Sequence, residues 1–155
     1  MIKVENSGII NRPIEEVFAY VADQTNARQW QSGVVEVRRT TDGPLRVGTT
    51  HTFVRNFMGR KMEANNEYIT YEPNKRITFK STSGPVRFEF SYLFESTAEG
   101  TRLTGKMQMQ PTGLLRLAEP LIAASLRRET KAAAGALKDL LENRAVTIPP
   151  HPAGR

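Results

Sequence analysis

Four side chains in this sequence could move a proton: His51, Glu67, Tyr71 and Glu129. Proton-transfer chemistry needs only one or two acid or base groups, provided that they are positioned in a dry pocket. The same four residue types serve equally well as plain polar lining, so they leave catalysis open. Other chemistries have less material. The chain has no cysteine, which removes thiolate catalysis, disulfides and cysteine metal sites. Its two histidines, His51 and His151, are too few for a histidine metal cluster, and neither a metal nor a cofactor is expected. A Ser–His–acid triad would have to use His51, and no serine sits in the glycine pattern of a nucleophile elbow.

The elements that must position these groups can be read from periodicity. After Pro111-Thr112-Gly113 the pattern turns helical and stays so to about Glu142. At about 100° per residue, Leu115, Ala118, Ile122, Leu126, Glu129, Ala133, Ala136, Leu137 and Leu140 collect in one stripe. Pro120 is expected to open that helix or kink it. Glu129 lies within the stripe, where it pairs with an inward Arg55 or His51, meets a ligand, or reaches water at the stripe's edge. His51 and Arg55 share a strand face with Phe53 and Phe57. Glu63, Asn65, Glu67, Ile69 and Tyr71 share a face of the next strand. That face is either polar lining or the wet side of a strand whose inner residues are Met62, Ala64 and Tyr68.

Further along, alternation places Phe88, Phe90, Tyr92 and Phe94 on one face, and Leu103, Gly105, Met107 and Met109 on one face of the following strand. Ile77 and Phe79 fit another strand. One apolar and one wet face mark an antiparallel sheet. Turn signals at Asp42-Gly43-Pro44, Met58-Gly59-Arg60, Pro73-Asn74, Ser83-Gly84-Pro85 and Glu99-Gly100 separate the strands at hairpin distances.

A chain of 155 residues, 39% hydrophobic and 25% charged, fits one domain with a real core. It has no apolar run near the ~20 residues of a membrane span and no long apolar stretch at its start, so a cytoplasmic location is expected. The net charge of +6 is spread singly along the chain, apart from pairs such as Arg38-Arg39, Arg60-Lys61 and Arg127-Arg128. Such scatter marks a solvated face or a basic surface for an acidic partner. Nucleic acid is the less expected partner, because aromatics do not interleave with the basic residues as a stacking platform requires.

Residues 10 to 30 are the most specific stretch: Ile10-Asn11-Arg12-Pro13, then Val17, Phe18, Tyr20, Val21, Ala22 and Asp23, with Asn26 and Trp30. A strand end runs into a proline suited to opening a helix, and Val17, Phe18, Val21 and Ala22 recur at helical spacing. Asp23 and Asn26 can cap a second short helix that delivers Trp30 to the core. This pattern resembles the start of the SRPBCC superfamily, the START-like and polyketide cyclase/dehydratase proteins. Val47-Gly48-Thr49, Gly59-Arg60, Tyr71-x-Pro73-x-x-Arg76, Gly84-Pro85 and Gly100-Thr101-Arg102-Leu103 continue it, over roughly residues 2 to 143.

The resemblance implies an α+β helix-grip fold. A curved antiparallel sheet of about six or seven strands would wrap on a long C-terminal helix, with two short helices after the first strand. The domain would span 1–143, with 144–155 as a flexible tail. The resemblance also implies a pocket for a small apolar ligand between helix and sheet. Its lining would include Phe53, Phe79, Phe88, Phe90, Tyr92, Met107, Met109, Leu121, Ile122, Ser125, Glu129 and Ala133. A carrier or sensor is the expected role. A cyclase or dehydratase using acid–base groups in the same pocket is one alternative, and a ribosome- or protein-interaction module is another. A homodimer is allowed by this reading.

Overall fold

Strand alternation and turn chemistry together dictate a meander, and the computed structural model, which describes residues 1–57, 59–84 and 86–147, has that form. Its strands are β1 (Ile2–Ile10), β2 (Val34–Arg39), β3 (Thr50–Phe57), β4 (Arg60–Glu72), β5 (Arg76–Ser83), β6 (Val86–Thr97) and β7 (Gly100–Pro111). Among the described residues they form one seven-stranded antiparallel sheet in the order β1-β7-β6-β5-β4-β3-β2. Helix α1 (Ile14–Ala22) and a 3-10 helix (Gln24–Gln29) follow β1, and a second 3-10 helix (Gly113–Ala118) leads into the long α2 (Glu119–Thr147). This is the expected α+β helix-grip fold, with the sheet curved on the C-terminal helix.

The entry segment folds for the reasons its residues suggest. Pro13 stands just before α1 in an extended conformation, and its carbonyl accepts from the amides of Glu16 and Val17 at 3.1 Å each. Asp23 accepts from the Thr25 amide at 3.1 Å to start the 3-10 helix. Asn26 works differently from the expected cap: its side-chain amide donates back to the Tyr20 carbonyl at 3.0 Å, closing the end of α1. Trp30 is delivered to the core, with 8% of its surface exposed.

Hairpin turns use residues able to adopt positive φ. Asn74 sits at φ 62° and Gly100 at φ 141°. A Cβ on Gly100 would stand 2.3 Å from the Ile10 carbonyl oxygen, so the β6–β7 turn is folded against the end of β1.

The core has three parts among the described residues, the smallest gathering Ala27, Val34 and Phe53 with Val37. At one end Val17, Phe18, Tyr20, Val21, Trp30, Tyr68, Ile77, Phe94, Leu137 and Leu141 pack together. At the other, Ile2, Val4 and Ile122 pack with Met107, Met109, Leu115, Ala118 and Leu126. Helix α2 is therefore held at both ends. Lys138 Nζ donates to the Ile9 carbonyl at 2.7 Å, and the Asn11 amide to Glu142 at 2.8 Å, which ties the C-terminal half to the edge strand β1. The helix passes the expected end near Glu142 and runs to Thr147, so residues 144–147 continue it rather than begin a tail. Residues 148–155 of the expected tail, with His151, lie outside the described residues, as do Met58 and Pro85 of two turn signals. Pro120 falls in the first turn of α2, as expected. Ala136, assigned to the inward stripe, is exposed; Thr130 and Leu141 take the inward phase instead.

Candidate functional site

Between its two anchored ends, α2 stands away from the sheet over a cavity of about 220 Å³, measured by where the centre of a water can sit. One water needs about 10–15 Å³ by that measure, so the space is far larger than a packing defect. Leu126, Glu129, Thr130, Ala133, Ala134 and Leu137 of α2 form one wall. Phe88, Phe90 and Tyr92 of β6, with Leu103, Gly105, Met107 and Met109 of β7, form the floor. Register explains this floor, since Phe88 faces Met109, Phe90 faces Met107, and Tyr92 faces Gly105 across the strand pair. A Cβ on Gly105 would lie 3.4 Å from Phe90 and 3.7 Å from Tyr92, in ordinary contact with two rings whose centroids are 4.6 Å apart. Phe79 stacks on Phe90 at 5.6 Å, extending the aromatic surface. Met62, Ala64 and Asn66 of β4 also line the space, so the inner face of β4 is the one carrying Met62, Ala64 and Tyr68.

Few polar groups enter this apolar wall. Gln24 and Asn66 satisfy each other through a reciprocal amide pair at 3.4 and 3.5 Å. Arg55 is the cation of the cavity. Its guanidinium donates to Gln31 Oε1 at 3.2 Å and lies 5.1 Å from the centroid of Phe53. Among the described residues no carboxylate is within ion-pair distance of it. Burial pulls its pKa below the ordinary guanidinium value, against the charges of Tyr92 and Glu129. Burial likewise pushes the Tyr92 phenol up, and the charge of Arg55 opposes this. At neutral pH the wall therefore offers a neutral phenol and a charged guanidinium that among the described residues spends one of its five donors, on Gln31.

The expected ligand residues Phe53, Phe79, Phe88, Phe90, Tyr92, Met107, Met109, Glu129 and Ala133 all line the cavity. Three expected ones do not. Leu121 is 70% exposed, Ile122 is buried against Ile2 and Val4, and Ser125 sits beside the wall, donating to Glu129 at 3.2 Å. Each lies toward the N-terminal anchor of α2, where the helix touches the sheet directly.

The four candidate acid–base groups are not brought together. Glu129 is at the mouth and exposed, without an ion pair to Arg55 or His51. His51 is fully buried away from the cavity, stacked on Tyr68 at 5.4 Å, and both ring nitrogens lack a partner among the described residues. Glu67 lies on the outer face of β4, opposite the cavity wall. Tyr71 packs edge-on against Phe18 at 5.6 Å, outside the cavity. Gln24, Gln31 and Asn66 join the lining without having been expected there, and Arg55, Met62 and Leu126, each given an inward reading from the sequence, join it beyond the expected ligand residues. The phase of β4 through Met62, Ala64 and Tyr68 would have found Asn66; Arg55 carried its own signal in sharing a face with Phe53.

Solved structures bear out the fold. A Thermus thermophilus protein matches with a TM-score of 0.77 at 20% identity, covering 88% of this chain and 94% of its own. A START superfamily protein from Mycobacterium smegmatis matches with a TM-score of 0.77 at 13% identity, covering 91% of this chain and 97% of its own. The Zhui aromatase/cyclase of a Streptomyces species matches with a TM-score of 0.76 at 14% identity, covering 92% and 94%. No curated protein matches the chain. The family model described as polyketide cyclase / dehydrase and lipid transport matches residues 1–142, and with the hollow helix-grip fold just described, the chain belongs to that family.

Proposed function

We propose that the protein binds a small, largely apolar ligand in the cavity between α2 and the sheet, as a carrier or sensor, and that the ligand presents an acidic group to Arg55. The observation that carries this reading is a cation that has no carboxylate within ion-pair distance among the described residues and lies in a wall of aromatic and methionine side chains. A half-buried charge in apolar surroundings is poorly hydrated, so a ligand that brings the counter-charge gains more than its apolar contact alone. Phe88, Phe90, Met107 and Met109 supply adaptable contact for the remainder of the molecule.

The test compares a fluorescent polyunsaturated fatty acid with its methyl ester as probes. The acid binds the wild type more tightly than the ester, and Arg55→Met erases that preference by weakening the acid about tenfold, as expected for a charge-assisted hydrogen bond. Equal affinity of the two probes for the wild type would refute the role of Arg55, and binding of neither would refute the cavity reading. A ring-closing or dehydrating enzyme is the second reading, favoured by the neutral phenol of Tyr92 near Arg55 and by the likeness to an aromatase/cyclase. A co-purified ligand recovered unchanged after incubation argues for carriage, and a changed one for catalysis.

A further inference from the structure

The 3-10 helix and the first turn of α2 present two different faces. Leu115, Ala118 and Ile122 turn inward onto Ile2, Val4, Met107 and Met109. Leu114, Leu117 and Leu121, spaced three and four residues apart, turn outward and are 85%, 83% and 70% exposed. Isolated exposed leucines are ordinary, but a row of the most exposed large apolar side chains among the described residues marks an interaction surface. Beside this row lies a shallow depression lined by Lys3, Arg116 and Arg127. Its one carboxylate, Glu119, is taken by the amino group of Met1 at 3.3 Å. None of the three basic side chains has a carboxylate within ion-pair distance among the described residues.

We propose that this end of the molecule docks on the surface of an anionic lipid bilayer, with Leu114, Leu117 and Leu121 entering the boundary between headgroups and chains and Lys3, Arg116 and Arg127 meeting lipid phosphates. Protruding apolar side chains flanked by unpaired cations are the two components of reversible interfacial binding. Charge argues against a second copy of the chain as the occupant. A two-fold interface sets the same patch against itself, which would bring the basic side chains of both copies face to face. Binding is superficial, since no described helix is long and apolar enough to cross a membrane. The inference stands independently of the ligand reading, because the docking residues are outside the cavity.

The test uses the full chain and sedimentation with vesicles of phosphatidylcholine alone or mixed equally with phosphatidylglycerol. The protein is expected to bind the anionic vesicles at least about tenfold more tightly, and to be released as salt is raised from about 0.05 to about 0.5 M. The triple variant Leu114→Ser, Leu117→Ser, Leu121→Ser and the double variant Arg116→Ser, Arg127→Ser should each lose about tenfold in vesicle affinity while retaining the wild-type circular dichroism and fatty-acid probe affinity. Failure of the wild type to bind anionic vesicles at low salt overturns the proposal, as does undiminished binding by the triple variant. A dimer that the leucine substitutions dissociate, in a protein that ignores vesicles, also overturns it and assigns the face to self-association.

Discussion

Both ring nitrogens of His51 are sealed from water without a partner among the described residues, and burial brings the imidazole pKa from 6.5 down to about 4, with the charge of Arg39 adding to the shift and that of Asp23 opposing it. Between those values the unfolded chain binds a proton that the folded chain refuses. Stability from this residue is therefore complete above pH 6.5 and is lost as the pH falls toward about 4. The loss amounts to about 3 kcal/mol at most. His51→Phe should flatten the pH dependence of unfolding between pH 6.5 and 4, followed by urea titration at several pH values. An unaltered slope would mean that other groups set it. Residue type alone pointed to His51 as a proton carrier; its place against Tyr68 sets it outside the cavity lining. Arg55, four residues along the same strand, has the opposite fate: it lines the cavity beside Phe53 and donates to Gln31.

Among the elements, β4 shows where period-two reading fails. Glu67, Ile69 and Tyr71 should share a face, but the register shifts between Tyr68 and Thr70, so that Tyr71 lies with Tyr68, their rings stacked at 6.3 Å. An extra residue in one strand reverses the alternation beyond it, and no composition signal announces it. The hairpins, by contrast, follow their turn residues. Gly100→Ala would add a Cβ within 2.3 Å of the Ile10 oxygen and 2.9 Å of the Arg12 nitrogen, so backbone must move. It should destabilise the protein by about 2 kcal/mol or more. Gly59→Ala, where φ is 79° and the added Cβ meets nothing within 4 Å, should cost only about 1 kcal/mol. Thermal or urea unfolding of the pair checks the order; equal losses would show that strain at φ, not the crossing of β1, dominates.

For the molecule as a whole, the decisive feature is that α2 is fixed at two ends and unsupported between them. Ile122, with Leu115 of the preceding 3-10 helix, seats one end, Leu137 and Leu141 the other, while the small side chains of Ala133 and Ala134 line the space between. Ala133→Trp should therefore place an indole in the cavity and reduce fatty-acid probe affinity at least about tenfold, with the melting temperature within a few degrees of the wild type. A well-folded variant with undiminished affinity would locate probe binding elsewhere.

By itself the sequence determined the strands, the turns, the entry helices and the apolar floor of the cavity, because these depend on local periodicity and on backbone preferences of proline, glycine and asparagine. Only the tertiary structure decided which inward-facing residues meet the cavity and which meet other side chains. Phe90 and Phe94 carry the same signal in one strand, yet one lines the cavity and the other packs on Phe18. The difference is set by where a distant helix touches down, a separation in space that no local pattern encodes.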